Sequence, residues 1–253
     1  MPLMNRVTSL SALVTTCASL LLSGLYTLNP SLAQAQAKAE IAQSYAWSKL
    51  YETDLFTVYS DERGPAPVFK AEGYIDANIF DVLAVLADVS RRTEWVDNLI
   101  KARIVEGEID HDVTIYEQYF LPWPCDNRDT VVRSVIEKDL TKLEVKVKYH
   151  RVKHSKVPVY EDVTRMPVVQ GDMTFTYAGC NRSFARMILA LDVGGHFPQW
   201  AVNQFVKRAP VKTLEGLLEQ VARTRGQYTD FIGRYKAQAS TLSALPLDCG
   251  GDR

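Results

Sequence analysis

Between residues 113 and 191 the chain places an apolar side chain at every second position, segment after segment. Only an antiparallel sheet with one dry face and one wet face uses that pattern. Residues 113–120 (VTIYEQYF), 130–136 (TVVRSVI), 143–152 (LEVKVKYHRV), 173–177 and 184–191 all read as strands. In the third, Leu143, Val145, Val147 and Tyr149 share one face, against Glu144, Lys146, Lys148 and His150 on the other. Most connections are short, as hairpins require. Residues 153–160 (KHSKVPVY) form a longer, proline-containing loop.

Helical patterning brackets this block. Residues 37–51 read as a short helix carrying Ile41, Tyr45 and Trp47, followed by strands at 55–60 and 68–75. Asp76 or Asn78 can cap a helix whose broad apolar face is Ile79, Phe80, Val82, Leu83, Val85 and Leu86. Gly194-Gly195 ends the last strand, and Pro198 stands near the start of a final helix running to about Ala239, kinked at Pro210. This order makes an α+β domain, in which one curved antiparallel sheet wraps a long C-terminal helix around one core.

The first 35 residues read as a signal peptide: Arg6, an uncharged apolar run from Leu10 to Tyr26, then small-residue cleavage sites at Ala33-Gln34-Ala35 and Ala35-Gln36-Ala37. An exported protein, periplasmic or secreted and soluble after cleavage, is expected. The domain occupies 36–240, and 241–253 is expected to be a loose tail. A formal charge of −1 excludes the basic excess of a nucleic-acid binder. With Cys17 removed, Cys125, Cys180 and Cys249 remain, and one disulfide, Cys180–Cys249, is permitted.

Three stretches resemble one family. Residues 120–133 (FLPWPCDNRDTVVR) look like the signature turn and strand of START (StAR-related lipid-transfer) domains. Residues 69–73 (FKAEG), the amphipathic helix and Trp95 are similar to that family's beginning. Residues 192–203 (DVGGHFPQWAVN) are similar to its entry into the last helix. The resemblance spans roughly residues 47–234. It implies a helix-grip fold enclosing an apolar cavity for a sterol, phospholipid or other lipid, with a cavity loop between Tyr160 and Asp172.

Alternation then selects a cavity wall. Arg133 prefers water, which turns Val132, Ser134 and Ile136 inward; Thr114 and Gln118 do the same for Ile115, Glu117 and Tyr119. Val145, Val147 and Tyr149 complete the set, with Phe175 from the neighbouring strand. Glu117 and Ser134 place polar groups on an apolar wall, as a carrier of amphiphiles needs; ordinary packing, with Glu117 hydrated at the sheet rim, is the alternative. Phe197, Ala201 and Phe205 are expected to face the cavity from a lid helix, while Trp200 packs on the sheet edge or touches a membrane. Pro122-Trp123-Pro124 makes a stiff corner. Arg128 and Asp129, pointing to opposite faces, are expected to anchor that corner rather than act on one substrate.

These expectations define a monomeric carrier of one lipid or sterol-like molecule, with transient membrane contact, whose lid and 153–160 loop move aside for exchange. No cofactor or metal is expected: His150 and His154, four residues apart on an extended chain, stand roughly 13 Å apart. The alternative is an enzyme of the cyclase or aromatase kind using Glu117, Ser134 and Tyr119. A ligand-sensing module is a third reading.

Overall fold

The computed structural model describes residues 45–195 and 202–247, apart from the side chain of Gln204. Within them the alternating segments pair into a ten-stranded sheet of order β1-β2-β3-β10-β9-β7-β6-β5-β4. The strands are β1 (Ser48–Glu52), β2 (Thr57–Asp61), β3 (Val68–Ile75), β4 (Leu99–Glu108), β5 (Asp112–Tyr119), β6 (Asn127–Asp139), β7 (Glu144–Arg151), β9 (Val168–Gly179) and β10 (Arg182–Asp192). Neighbours on this path run antiparallel. The short β8 (Val163–Arg165) lies off it, parallel to the start of β6.

Register aligns the apolar set: Ile115 sits opposite Val132, Ile136 opposite Val147, and Val145 opposite Phe175. Against this face lies α1 (Ile79–Ala87), every residue of which except Asp81 is buried. Its first turn is capped by Asn78, whose Oδ1 accepts from the Phe80 N–H at 2.9 Å, a bond of a kind worth about 1 kcal/mol. A 3-10 turn (Val89–Glu94) follows and leads to buried Trp95.

The C-terminal helical region differs from one kinked helix. A π-type turn (Val202–Val206) precedes α2 (Ala209–Arg223), and α3 (Thr229–Leu242) follows a break that contains Gly226 at φ +78°. Pro210 lies in the first turn of α2, where its missing N–H costs nothing, so it starts a helix instead of kinking one. Leu214, Leu217 and Val221 of α2 join Leu83, Val145, Val147, Phe175 and Met187 in one core. Gly216 permits this approach: a Cβ there would stand 2.2 Å from the Trp95 carbonyl oxygen.

Other expectations are corrected. Residues 48–51 are strand β1, paired with β2, instead of helix, because the sheet edge offers them backbone partners; residues 37–44 lie outside the described residues. The chain beyond residue 241 is tied down as far as Leu247. Residues 241 and 242 complete α3, Tyr177 Oη donates to the Pro246 oxygen at 2.9 Å, and Leu247 packs on the core. Cys180 is disulfide-bonded; Cys249 lies outside the described residues.

The outer face is not uniformly wet. Tyr116, Val131 and Val157 form a buried cluster there, with the Tyr160 ring edge-on to Tyr116 at 5.8 Å. Residues 157 and 160 therefore pack the 153–160 loop over the outside of β5 and β6.

An internal cavity with a buried ion pair

One end of the interior is left unfilled. Here Val132 and Ser134 of β6, Tyr149 of β7, Met173 of β9, and Met187 and Leu189 of β10 line a cavity of about 110 Å³. Glu117 and Tyr119 of β5 complete the sheet side, and Phe205, Val206, Ala209 and Thr213 close it from the π-type turn and α2. Met166 and Val169, from the segment after Tyr160, also reach it. Residues Ile115, Val145, Val147 and Phe175 face the same interior but do not line the cavity. α1 fills the space in front of Val145, Val147 and Phe175, and Ile115 packs with Val89, Val113 and Met166.

Phe205 is the one lid residue inside the described region, half-buried and on the lining. Phe197, Trp200 and Ala201 lie outside the described residues. No residue of the 153–160 loop lines the cavity, and its Val157 and Tyr160 pack on the opposite face of the sheet.

The polar end of the cavity is built from both ends of the alternating pattern. Glu117, 2% exposed, is buried on the lining instead of standing at the rim. Its Oε1 accepts from Arg92 Nε at 2.5 Å and its Oε2 accepts from Tyr119 Oη at 2.7 Å. Arg92 comes from the 3-10 turn, where Asp88 caps the Ser90 N–H; Arg91 turns outward to Glu94 while Arg92 lies 5.2 Å from the Trp95 ring. Burial is the largest single influence on Arg92 and opposes its charge, but Glu117, Tyr119 and Tyr149 together outweigh it and hold the guanidinium above its ordinary value. Burial, reinforced by Glu117, pushes the Tyr119 hydroxyl well above its ordinary range, so it stays protonated and donates. Burial also raises Tyr149, whose Oη donates to the Ile188 oxygen at 3.3 Å. Ser134 is 7% exposed and lies on the lining.

Arg128 and Asp129 take opposite sides of β6. The Arg128 side chain also lines the cavity. Its Nε donates to the Val193 oxygen at 2.7 Å, and its Nη atoms to the oxygens of Asp126 and Gly194 at 2.5 and 3.1 Å. It thereby joins the start of β6 to the end of β10. Asp129, 1% exposed, accepts two bonds from Arg165 on β8, at 2.6 and 2.9 Å. Trp123 anchors nothing, being 91% exposed. The corner is held instead by Cys125 N–H to the Pro122 oxygen at 3.0 Å and Leu121 N–H to Asn127 Oδ1 at 3.2 Å.

Sequence reading missed Arg92 and the three cavity methionines. Met187 alternates with Leu189 and Leu191 along β10, and Met173 with Phe175 on β9, so the facing argument used on β5 and β6 would have found both; Met166, between β8 and β9, offers no such signal. Arg92 gives no such signal, since Arg91-Arg92-Thr93-Glu94 reads as a solvated turn. Among the described residues no group of three or more His, Cys, Asp or Glu could hold a metal ion.

A large antiparallel sheet closed by C-terminal helices over an apolar cavity defines a helix-grip protein. The family model for the START domain matches residues 29–225, and the chain belongs to that family. An uncharacterized protein of Pseudomonas aeruginosa is 25% identical over 143 residues, covering 56% of this chain and 69% of that one. Among solved structures, a STAR-related lipid transfer protein from Xanthomonas axonopodis is 25% identical, with a TM-score of 0.61, covering 70% of this chain and 98% of that one. Human StAR-related lipid transfer protein 5 shares the fold at 16% identity and a TM-score of 0.65, over 78% of this chain and 96% of its own.

Proposed function

We propose that this protein is a carrier, and not an enzyme: it binds one lipid or sterol-like molecule in the cavity and delivers it to a membrane or a partner. The observation that carries this reading is an apolar cavity whose one deep carboxylate is already neutralised by its own protein. Both Glu117 oxygens are engaged by the protein's own donors, Arg92 and Tyr119, so the carboxylate is already committed to its neighbours instead of being held free for a general base's work. Arg92 pairs with Glu117 through Nε, and Arg92 is itself on the cavity lining. An Arg and a Ser on the lining suit an amphiphile whose head carries a hydrogen-bond acceptor. The rest of the wall supplies affinity: enclosing about 300 Å² of apolar surface is worth on the order of 8 kcal/mol before the costs of association.

At about 110 Å³ the cavity is smaller than the roughly 300–1,000 Å³ that drug-sized ligands occupy, and on this reading the wall yields as a ligand loads. Met166, Met173 and Met187 are the side chains best able to do so, being unbranched and polarisable. The lining of Phe205, Val206 and Ala209 is the part that moves with the C-terminal helical region.

We also propose export, on the apolar run from Leu10 to Tyr26 and the small-residue sites that follow it. Among the described residues no helix is long and apolar enough to cross a membrane. N-terminal sequencing of protein recovered from the native host tests this point, and an intact Met1 terminus contradicts it. Native mass spectrometry of the same material, with extraction of bound lipid, tests the carrier. Expected is one lipid per chain, lost in Ser134→Phe, which fills the cavity. Protein that is empty in repeated preparations and binds no added lipid refutes the reading.

A further inference from the structure

The START match ends at residue 225, and the chain then builds one more helix. From Gly226 to Leu247 it forms a strap, and among the described residues no part of this strap lines the cavity. Its far anchors lie at the end of the sheet away from the cavity. Tyr235 Oη donates to Asp110 in the β4–β5 turn and accepts from Lys138 Nζ, at the end of β6, at 3.1 Å. Beyond α3, the Pro246 oxygen accepts from Tyr177 Oη at 2.9 Å, and Phe231 and Ile232 pack on the core.

The near end of the strap grips the 3-10 turn instead. Tyr228 Oη donates to Asp88 Oδ2 at 2.8 Å, while Oδ1 of the same carboxylate caps the turn by accepting from the Ser90 N–H at 3.1 Å. Burial, and then Asp88, push the Tyr228 hydroxyl up to about 12, so it remains a donor at neutral pH. Gln227 Oε1 accepts from Arg91 Nη1 at 2.6 Å. Arg91 gives Nε and Nη2 to Glu94, each at 2.9 Å, and Gln220 of α2, itself fully buried, donates to Glu94 at 2.9 Å. The outward side of the turn is therefore pinned at its start and at its end by the α2–α3 junction. Its inward side chain is Arg92, which meets Glu117 in the cavity.

A short 3-10 turn has poor internal hydrogen-bond geometry, so what holds its ends decides where its side chains go. Arg92 is long and flexible, and a hydrogen bond weakens steeply once its angle is lost. A small shift of the turn therefore suffices to spoil the contact with Glu117. We propose that Tyr228 and Gln227 are positioning residues for the cavity: through Asp88 and Arg91 they fix the 3-10 turn and hold Arg92 where it meets Glu117 and the head of a bound amphiphile. The contact with a bound head rests on the carrier reading; the placement of Arg92 does not.

The test compares three variants of the full-length protein. Tyr228→Phe and Gln227→Ala each remove one junction bond and should fold, since the first keeps its ring and the second replaces an exposed side chain. Tyr235→Phe cuts a far anchor and controls for general loosening of the strap. Exchange of the Arg92 Nε–H proton with water, read by heteronuclear NMR and assigned by its loss in Arg92→Met, reports the pair without any ligand. Expected is about tenfold faster exchange in Tyr228→Phe, a smaller rise in Gln227→Ala and none in Tyr235→Phe. Binding is read with pyrenedodecanoic acid, whose carboxylate is an acceptor, and with dodecylpyrene, which has no acceptor head. Tyr228→Phe should bind the acid about tenfold more weakly than wild type and dodecylpyrene equally well. Unchanged Arg92 exchange in both junction variants overturns the proposal, as does an equal rise in Tyr235→Phe. Equal affinity of wild type and Tyr228→Phe for the acid, or an equal loss of both probes, overturns it as well. If wild type binds neither probe while Arg92 exchange still follows Tyr228, the carrier reading falls and the positioning role stands.

Discussion

Breaking the Arg92–Glu117 pair from each side, and then from both, measures how dry the cavity end is. Glu117 is 2% exposed and the Arg92 side chain 15%, with Nε 2.5 Å from Oε1. Removing one partner of a buried pair typically costs about 3–5 kcal/mol, because the other charge is left without compensation. Glu117→Leu should fall at the lower end of that range, since Arg92 borders the cavity and can recruit water. Arg92→Met leaves a deeper carboxylate, but Tyr119 still donates to it at 2.7 Å, a charged hydrogen bond worth about 1.5–3 kcal/mol. The double variant exchanges the pair for apolar side chains and should lie within about 1 kcal/mol of wild type, or above it. The two losses are therefore strongly non-additive, with a coupling of roughly 3 kcal/mol or more. Urea unfolding followed by far-ultraviolet circular dichroism, extrapolated to water, gives the three values. Additive single losses below about 1 kcal/mol would show a hydrated pair, and the account of a dry polar end would be wrong.

Gly216→Ala forces a methyl group to within 2.2 Å of the Trp95 oxygen, pushing α2 away from the 3-10 turn that carries Arg92; a loss of about 1–3 kcal/mol in chemical denaturation is expected. Arg91 first, and then Gln220, hold the Glu94 carboxyl down at about 2, from an ordinary 4.5. A depressed carboxyl stabilises above its unfolded value and loses that contribution as pH falls through the folded one. The stability gap between wild type and Glu94→Gln should thus be constant near neutrality and close between pH 4.5 and about 2. A gap that persists at the acid end, in denaturation curves taken across pH, contradicts the linkage.

Much of the fold could be read from alternation because a strand's faces repeat every two residues, whatever the strand pairs with. The pattern from Glu144 to Arg151 stated both that the segment is a strand and which side is dry. Resemblance through the 120–133 and 192–203 stretches supplied the helix-grip arrangement. The same local logic failed where a distant element decided the outcome. Val131 and Tyr116 sit on the face assigned to water, yet the 153–160 loop covers them. Residues 48–51 became strand only because β2 offered a partner.

For the cavity the division is sharper. Alternation sufficed to put Glu117, Tyr119, Val132, Ser134 and Tyr149 on the inner face, and the structure sets all five on the lining. Facing inward is a local property; bordering empty space is not. Whether Val145, Val147 and Phe175 touch a ligand or a helix depends on where α1 comes to rest, and it rests on them. Likewise, Glu117 acquires its charge partner from a turn 25 residues earlier in the chain. No periodicity points at Arg92, because what pairs the two is the packing of the Val89–Glu94 turn against β4 and β5. Residue types and spacing were enough for the sheet, its dry face and the family. Only the packing of elements far apart in sequence decided where the interior is left unfilled and which charges meet there.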